Sequence, residues 1–113
     1  MQPCYYIIDS QSDEQIPASI RKATAADFER TAQDHWQTDW RTDFIQDAAL
    51  QKYALDLDAT KELVGLAAYR DMPEGVLVYV EYMESAPSGN PTLSNPRKYA
   101  GIGAALLAFG IQL

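Results

Sequence analysis

Cysteine is nearly absent. Cys4 stands alone, so no disulfide can close within the chain, and no neighbouring His or Asp marks it as a nucleophile. Histidine is equally scarce. His35 has no second His or Cys at ligand spacing, which argues against a metal site. Positive charge is in the minority, with 9 Lys and Arg against 16 Asp and Glu and a net charge of −7. Such a surface disfavours nucleic acid and suits a cationic partner. No apolar run reaches the length of a membrane span, and Met1 to Ile8 lacks the basic and apolar regions of a signal peptide. No membrane partner and a cytoplasmic location are therefore expected. Glycine and proline are modest, 6 of each in 113 residues, while 47 % of residues are hydrophobic. That balance argues against disorder and supplies one core.

Apolar periodicity divides the chain. Cys4 to Ile8 reads as a strand and Asp9 to Pro17 as a polar stretch ending in proline. Residues 1–18 thus form an arm or extra strand ahead of a domain over 19–113. Ser19 to Ala23 predicts a short strand. Thr24, with Asp27 three residues on, predicts the N-cap of a helix over Ala25 to Gln33. Trp36, Trp40, Phe44 and Ala48 recur every four residues, with Ile45 and Ala49 beside them, which predicts a second helix over Trp36 to Leu50. Tyr53, Leu55 and Leu57 alternate with Ala54, Asp56 and Asp58 as in a half-buried strand. Leu63 to Tyr69 and Val76 to Met83 predict two more, separated by an Asp71–Gly75 turn. Short polar links imply antiparallel hairpins. The fold class is α+β, an antiparallel meander with helices packed on it.

The C-terminal segment carries the most chemistry. Arg97 and Lys98 precede Gly101 and Gly103, which open an apolar helix. Glycines permit close approach to the main chain, and a helix N-terminus attracts phosphate. A P-loop is excluded, because no Gly-Lys-Ser/Thr follows. A dinucleotide fingerprint is excluded too, because Leu106 stands where its third glycine belongs and no βαβ unit surrounds it. What remains is Lys98-x-x-Gly101-x-Gly103-x-x-Leu106-Leu107. It follows Val80–Pro87, an apolar strand with an internal acid and a proline at its exit. In this pattern, and in the order of elements from Ser19 to Leu113, the chain resembles the N-terminal half of the GNAT superfamily of acyl-CoA-dependent N-acetyltransferases.

The resemblance implies a GNAT-like fold and transfer of an acyl group, acetyl by default, from acyl-CoA to a small-molecule or peptide amine. It implies that Lys98, Tyr99, Ala100, Gly101, Ile102, Gly103 and Ala104 hold the coenzyme A pyrophosphate, largely through backbone N–H groups. Met83, Glu84 and Ser85 would meet the pantetheine arm. Glu81 becomes the first candidate for the base that deprotonates the amine, and Glu84 the second; regular strand alternation predicts them on opposite faces. The family's helix pair lines its acceptor pocket, which makes Trp36 and Trp40 candidate substrate contacts, although their spacing equally fits core packing. No metal is expected. The family's pattern has Gln or Arg where Lys98 stands, and Ser88–Pro96 reads as an insertion. The family's later strands lie beyond the resemblance, so an open sheet edge predicts a homodimer or a partner chain. The alternative function is a catalytically incomplete acyl-CoA-binding or interaction module that dimerises through that edge.

Overall fold

The computed structural model describes residues 5–43, 45–71, 78–90, 93 and 97–113. Cys4, Phe44, the turn residues 72–75, Val76 and Leu77 at the start of the expected third meander strand, and most of the expected insertion lie outside the described residues. Within them the fold is α+β: a curled, wholly antiparallel six-stranded sheet and two α-helices. In chain order these are β1 (Tyr5–Asp9), β2 (Gln15–Lys22), α1 (Ala25–Gln33), β3 (Leu50–Leu57), β4 (Leu63–Asp71), β5 (Val78–Ser85), β6 (Tyr99–Ala100) and α2 (Ile102–Ile111). The strands lie in the order β5-β4-β3-β2-β1-β6.

Alternation along the strands sends side chains to two faces and builds two cores. On one face Ile7, Ile20, Leu55, Leu57 and Ala67 pack under Ile102, Ala105 and Leu106 of α2. On the other, Ala54, Leu66 and Ala68 pack against Phe28 of α1 and against Trp36, Trp40 and Ile45. Helix α2 touches β5 and β4 and also β1, so it lies across the sheet. Gly65 makes this approach possible: a Cβ there would stand 2.8 Å from Ile102 Cγ2. The Tyr69 hydroxyl donates to the Leu106 carbonyl at 2.7 Å and ties β4 to the same helix.

The N-terminal eighteen residues supply β1 and the first half of β2, paired from Tyr5↔Ala18 to Ile8↔Gln15. Helix α1 begins where a cap was expected. The Asp27 carboxylate accepts from the Thr24 N–H at 2.7 Å and from Arg21, itself bonded to Asp56 across β2 and β3. Burial pushes the Asp27 carboxyl up, but the Arg21 and Thr24 hydrogen bonds outweigh it and leave the pKa below its ordinary value.

The expected second helix over Trp36–Leu50 is absent: the described residues of 36–49 form turns and bends, and Leu50 opens β3. His35, at φ 59°, turns the chain out of α1. Side chains then satisfy the backbone in place of a helical ladder. Asp39 Oδ1 accepts from the Arg41 N–H and Asp47 Oδ1 from the Ala49 N–H, each at 2.9 Å. The Trp40 N–H donates to Thr31 Oγ1 at 3.0 Å, and the Trp40 carbonyl accepts from Gln46 Nε2 at 2.7 Å. Trp36, Trp40 and Ile45 are buried as an irregular loop, not as one helical stripe.

Candidate functional site

Strand β5 departs from regular pairing where the chemistry was expected. Ala68 faces Tyr82 and Tyr69 faces Val80, so Glu81 is the extra residue of a bulge. The parity changes there: Val80 packs on the α2 face, Tyr82 on the α1 face. The expectation that Glu81 and Glu84 lie on opposite faces is therefore corrected. Glu81 Oε2 lies 3.6 Å from Arg70 Nε, and Arg70 shares its β4 alternation with Leu66 and Ala68 of the α1-side core. Glu84 reaches the same side, where it meets Trp40.

The two acids are used differently. Both Glu84 oxygens are taken: Oε1 accepts from Trp40 Nε1 at 2.8 Å, and Oε2 from the Thr38 N–H at 3.3 Å. Glu84 thus straps the 34–49 loop to β5. Among the described residues Glu81 has only the loose Arg70 contact, and Arg70 is shared with Asp47 at 3.9 Å. Glu84, but not Glu81, lines a cavity of about 130 Å³ whose other walls include Gln37, Thr38, Trp40, Tyr82 and Met83. Trp40 contributes to that wall although it is almost wholly buried. Trp36 does not; it lines a different cavity, toward Ala86 and Ser88.

The glycine segment assembles next to β5. Gly101 caps α2 in the left-handed region at φ 87°, a conformation that favours glycine. The N–H groups of the first helical turn have no acceptor four residues back. A Cβ on Gly103 would lie 3.7 Å from Met83 Cε, so the helix start and the distal part of β5 are neighbours. Lys98 is exposed, with Nζ 5.2 Å from the Tyr99 ring centroid. A hydrogen bond to the Tyr99 side chain, with the charges of Glu62 and Asp9 behind it, raises the Lys98 pKa. Tyr99 and Ala100 are drawn into β6, paired with Asp9 and Ile8, and the Tyr99 side chain is buried in the α2-side core. Ile102 is likewise core, and Ala104 is exposed on the first turn. Ser85 pairs with Gly65 at the end of β5.

Sequence reasoning gave no weight to Glu62. Its Oε2 is buried and has no hydrogen-bond partner among the described residues, and the residue lines the Trp36 cavity. Sitting just after a turn, it belongs to no periodic pattern that would have singled it out. Among the described residues, no cluster of His, Cys, Asp and Glu could hold a metal ion, and no helix is long and apolar enough to cross a membrane. No protein-family model, no curated protein and no solved structure matches the chain.

Proposed function

We propose that this chain belongs to the acyl-CoA-dependent N-acyltransferases of the GNAT type and transfers an acyl group to an amine within a ternary complex. The observation that carries the reading is that a Cβ on Gly103 of α2 would just touch Met83 of β5, so a bulged strand runs beside a glycine-opened helix start. In this reading the first-turn N–H groups of α2 receive the pyrophosphate, with Lys98 adding charge. The pantetheine arm lies along β5 near Met83 to Ser85. The amine nitrogen attacks the thioester carbonyl, and a β5 N–H stabilises the oxyanion. The C–S bond then breaks, and the thiolate leaves as coenzyme A. Glu81 takes the amine proton, because both oxygens of Glu84 are already engaged by the loop. Trp40 enters as part of the acceptor wall.

Calorimetric titration of the folded chain with acetyl-CoA tests the reading. Micromolar binding supports it; no heat from a folded sample overturns it.

A second reading, a binding module that pairs through its sheet edge, draws on two features. β5 is the terminal strand of the sheet, and α2 exposes Leu107 and Ile111, the latter at 85 %. It predicts a homodimer or a complex with a partner chain. A stable monomer by light scattering, with no partner strand recruited, would remove it.

A further inference from the structure

We infer that the cavity at the end of β2, lined by Lys22 and Lys52, is a binding site for a small dicarboxylate, an organic acid with an anionic group at each end. The cavity arises where β2 stops at Lys22 and the chain leaves for α1. The Ala23 N–H still donates to the Lys52 carbonyl at 3.0 Å, but β3 extends past that bond to Leu50. The step holds about 310 Å³, lined by Lys22, Ala23, Leu50, Gln51, Lys52 and Tyr53. At roughly 30 Å³ per liquid water that is the volume of about ten waters, room for a short organic acid. The site does not depend on the acyl-CoA reading. Ala100 of the glycine segment pairs with Ile8, and Ile8 with Gln15 at the start of β2, so the length of that strand separates the two places.

Charge singles out this cavity. Acids outnumber bases 16 to 9, and Arg21, Arg30, Arg41 and Arg70 each lie against a carboxylate. Lys22 and Lys52 do not: among the described residues neither ammonium forms an ion pair. Lys52 Nζ reaches the Asp47 carbonyl at 3.3 Å, while the Asp47 carboxylate is turned to the Ala49 N–H and to Arg70. Two uncompensated cations thus line one cavity of a chain whose net charge, −7, repels anions as a whole. Their placement argues for two anionic groups. Lys22 pairs with Tyr53 and shares its face of the sheet, whereas Lys52, next to Tyr53 along β3, belongs to the opposite face. An anion with one centre suits a single ammonium; a two-ended acid serves both. Leu50 and Ala23 offer apolar surface for its methylene chain. The Tyr53 hydroxyl makes a long bond to Gln51 Oε1, 3.4 Å, which a carboxylate oxygen would replace with a shorter one.

The test is calorimetry on the full chain with malonate, succinate, glutarate and adipate at matched ionic strength, and with butyrate and sulfate as controls. At least one dicarboxylate should bind about tenfold or more tightly than butyrate, the value of one charge-assisted hydrogen bond, and more tightly than sulfate. Lys22→Met and Lys52→Met should each weaken that dicarboxylate about tenfold and leave the melting temperature in place, because neither ammonium holds an ion pair. Butyrate binding as tightly as every dicarboxylate overturns the two-ended site. Sulfate binding as tightly reduces it to a patch of charge and overturns it as well. Affinity unchanged in either lysine variant, or displacement of the dicarboxylate by acetyl-CoA, places the ligand elsewhere and overturns the proposal. Silence from every dicarboxylate does the same. Each of these results leaves acyl transfer standing. The comparison with butyrate needs only the unmodified chain, so a poorly folding variant does not rescue the idea.

Discussion

The Trp40 indole N–H donates to Glu84 across 2.8 Å and joins a loop with no helical ladder to the strand that carries the bulge. The second Glu84 oxygen accepts from the Thr38 backbone. Hydrogen bonds to a charged acceptor contribute more than neutral ones, and removing the acceptor leaves the buried indole N–H unpaired. Glu84→Ala should therefore cost about 2 kcal/mol by urea denaturation, and Glu84→Gln, which keeps one acceptor, about 1 kcal/mol. A change within about 0.5 kcal/mol for the alanine variant would deny Glu84 its role as a strap.

Glu81 should behave in the opposite way. Its contact with Arg70 is long, 3.6 Å, and Arg70 is 37 % exposed, so the pair contributes little to stability. Glu81→Gln should leave the urea midpoint nearly unchanged. Turnover with acetyl-CoA and a reactive amine should fall about tenfold or more at saturating acyl-CoA. Unchanged turnover would remove Glu81 from the mechanism.

Local patterns were legible in the sequence; long-range compensation was not. Thr24 and Asp27 marked the start of α1, and alternation marked β3, because caps and strand faces are properties of neighbouring residues. The four-residue spacing of Trp36, Trp40, Phe44 and Ala48 suggested a helix. Periodicity could not reveal that Thr31 and Gln46 side chains hold the Trp40 backbone, or that Ala48 is exposed. The same limit hid β6, which depends on a partner near the other end of the chain, Ile8 for Ala100. The bulge at Glu81 is likewise invisible in β5 alone, since only register against Ala68 and Tyr69 defines it. The proposed pyrophosphate segment was legible as a motif, because its glycines and basic residue are contiguous.

Asp27 predicts the acid limit of stability. Its folded pKa lies below the ordinary 3.8, so its contribution is fully present above that value and is lost as pH falls through the depressed folded value. Stability should drop below about pH 4. Asp27→Asn should flatten that acid limb and cost about 2 kcal/mol at neutral pH. The cost stays below the range for fully buried pairs because the Arg21 side chain is 41 % exposed. Thermal melts of both proteins between about pH 3 and about pH 7 measure it. An acid limb that is equally steep in the variant would assign the loss to other carboxylates.

The two glycines that open α2 should separate backbone geometry from ligand approach. Gly101 sits at φ 87° with open space around it, so Gly101→Ala meets no neighbour but is strained by conformation, at about 1–2 kcal/mol. Gly103 is helical, and a Cβ there meets Met83 Cε at an ordinary 3.7 Å. Gly103→Ala should therefore hold or raise stability, by up to about 1 kcal/mol from helix propensity. The larger Gly103→Val adds bulk at the helix start beside β5, where the pyrophosphate and the pantetheine arm would meet. It should weaken acetyl-CoA binding about tenfold or more while the chain stays folded, since a ligand drawn to first-turn N–H groups needs the main chain within hydrogen-bond reach. Binding that survives Gly103→Val would move the phosphate away from this helix start. Loss on Gly101→Ala alone would then reflect a distorted cap and not a blocked contact.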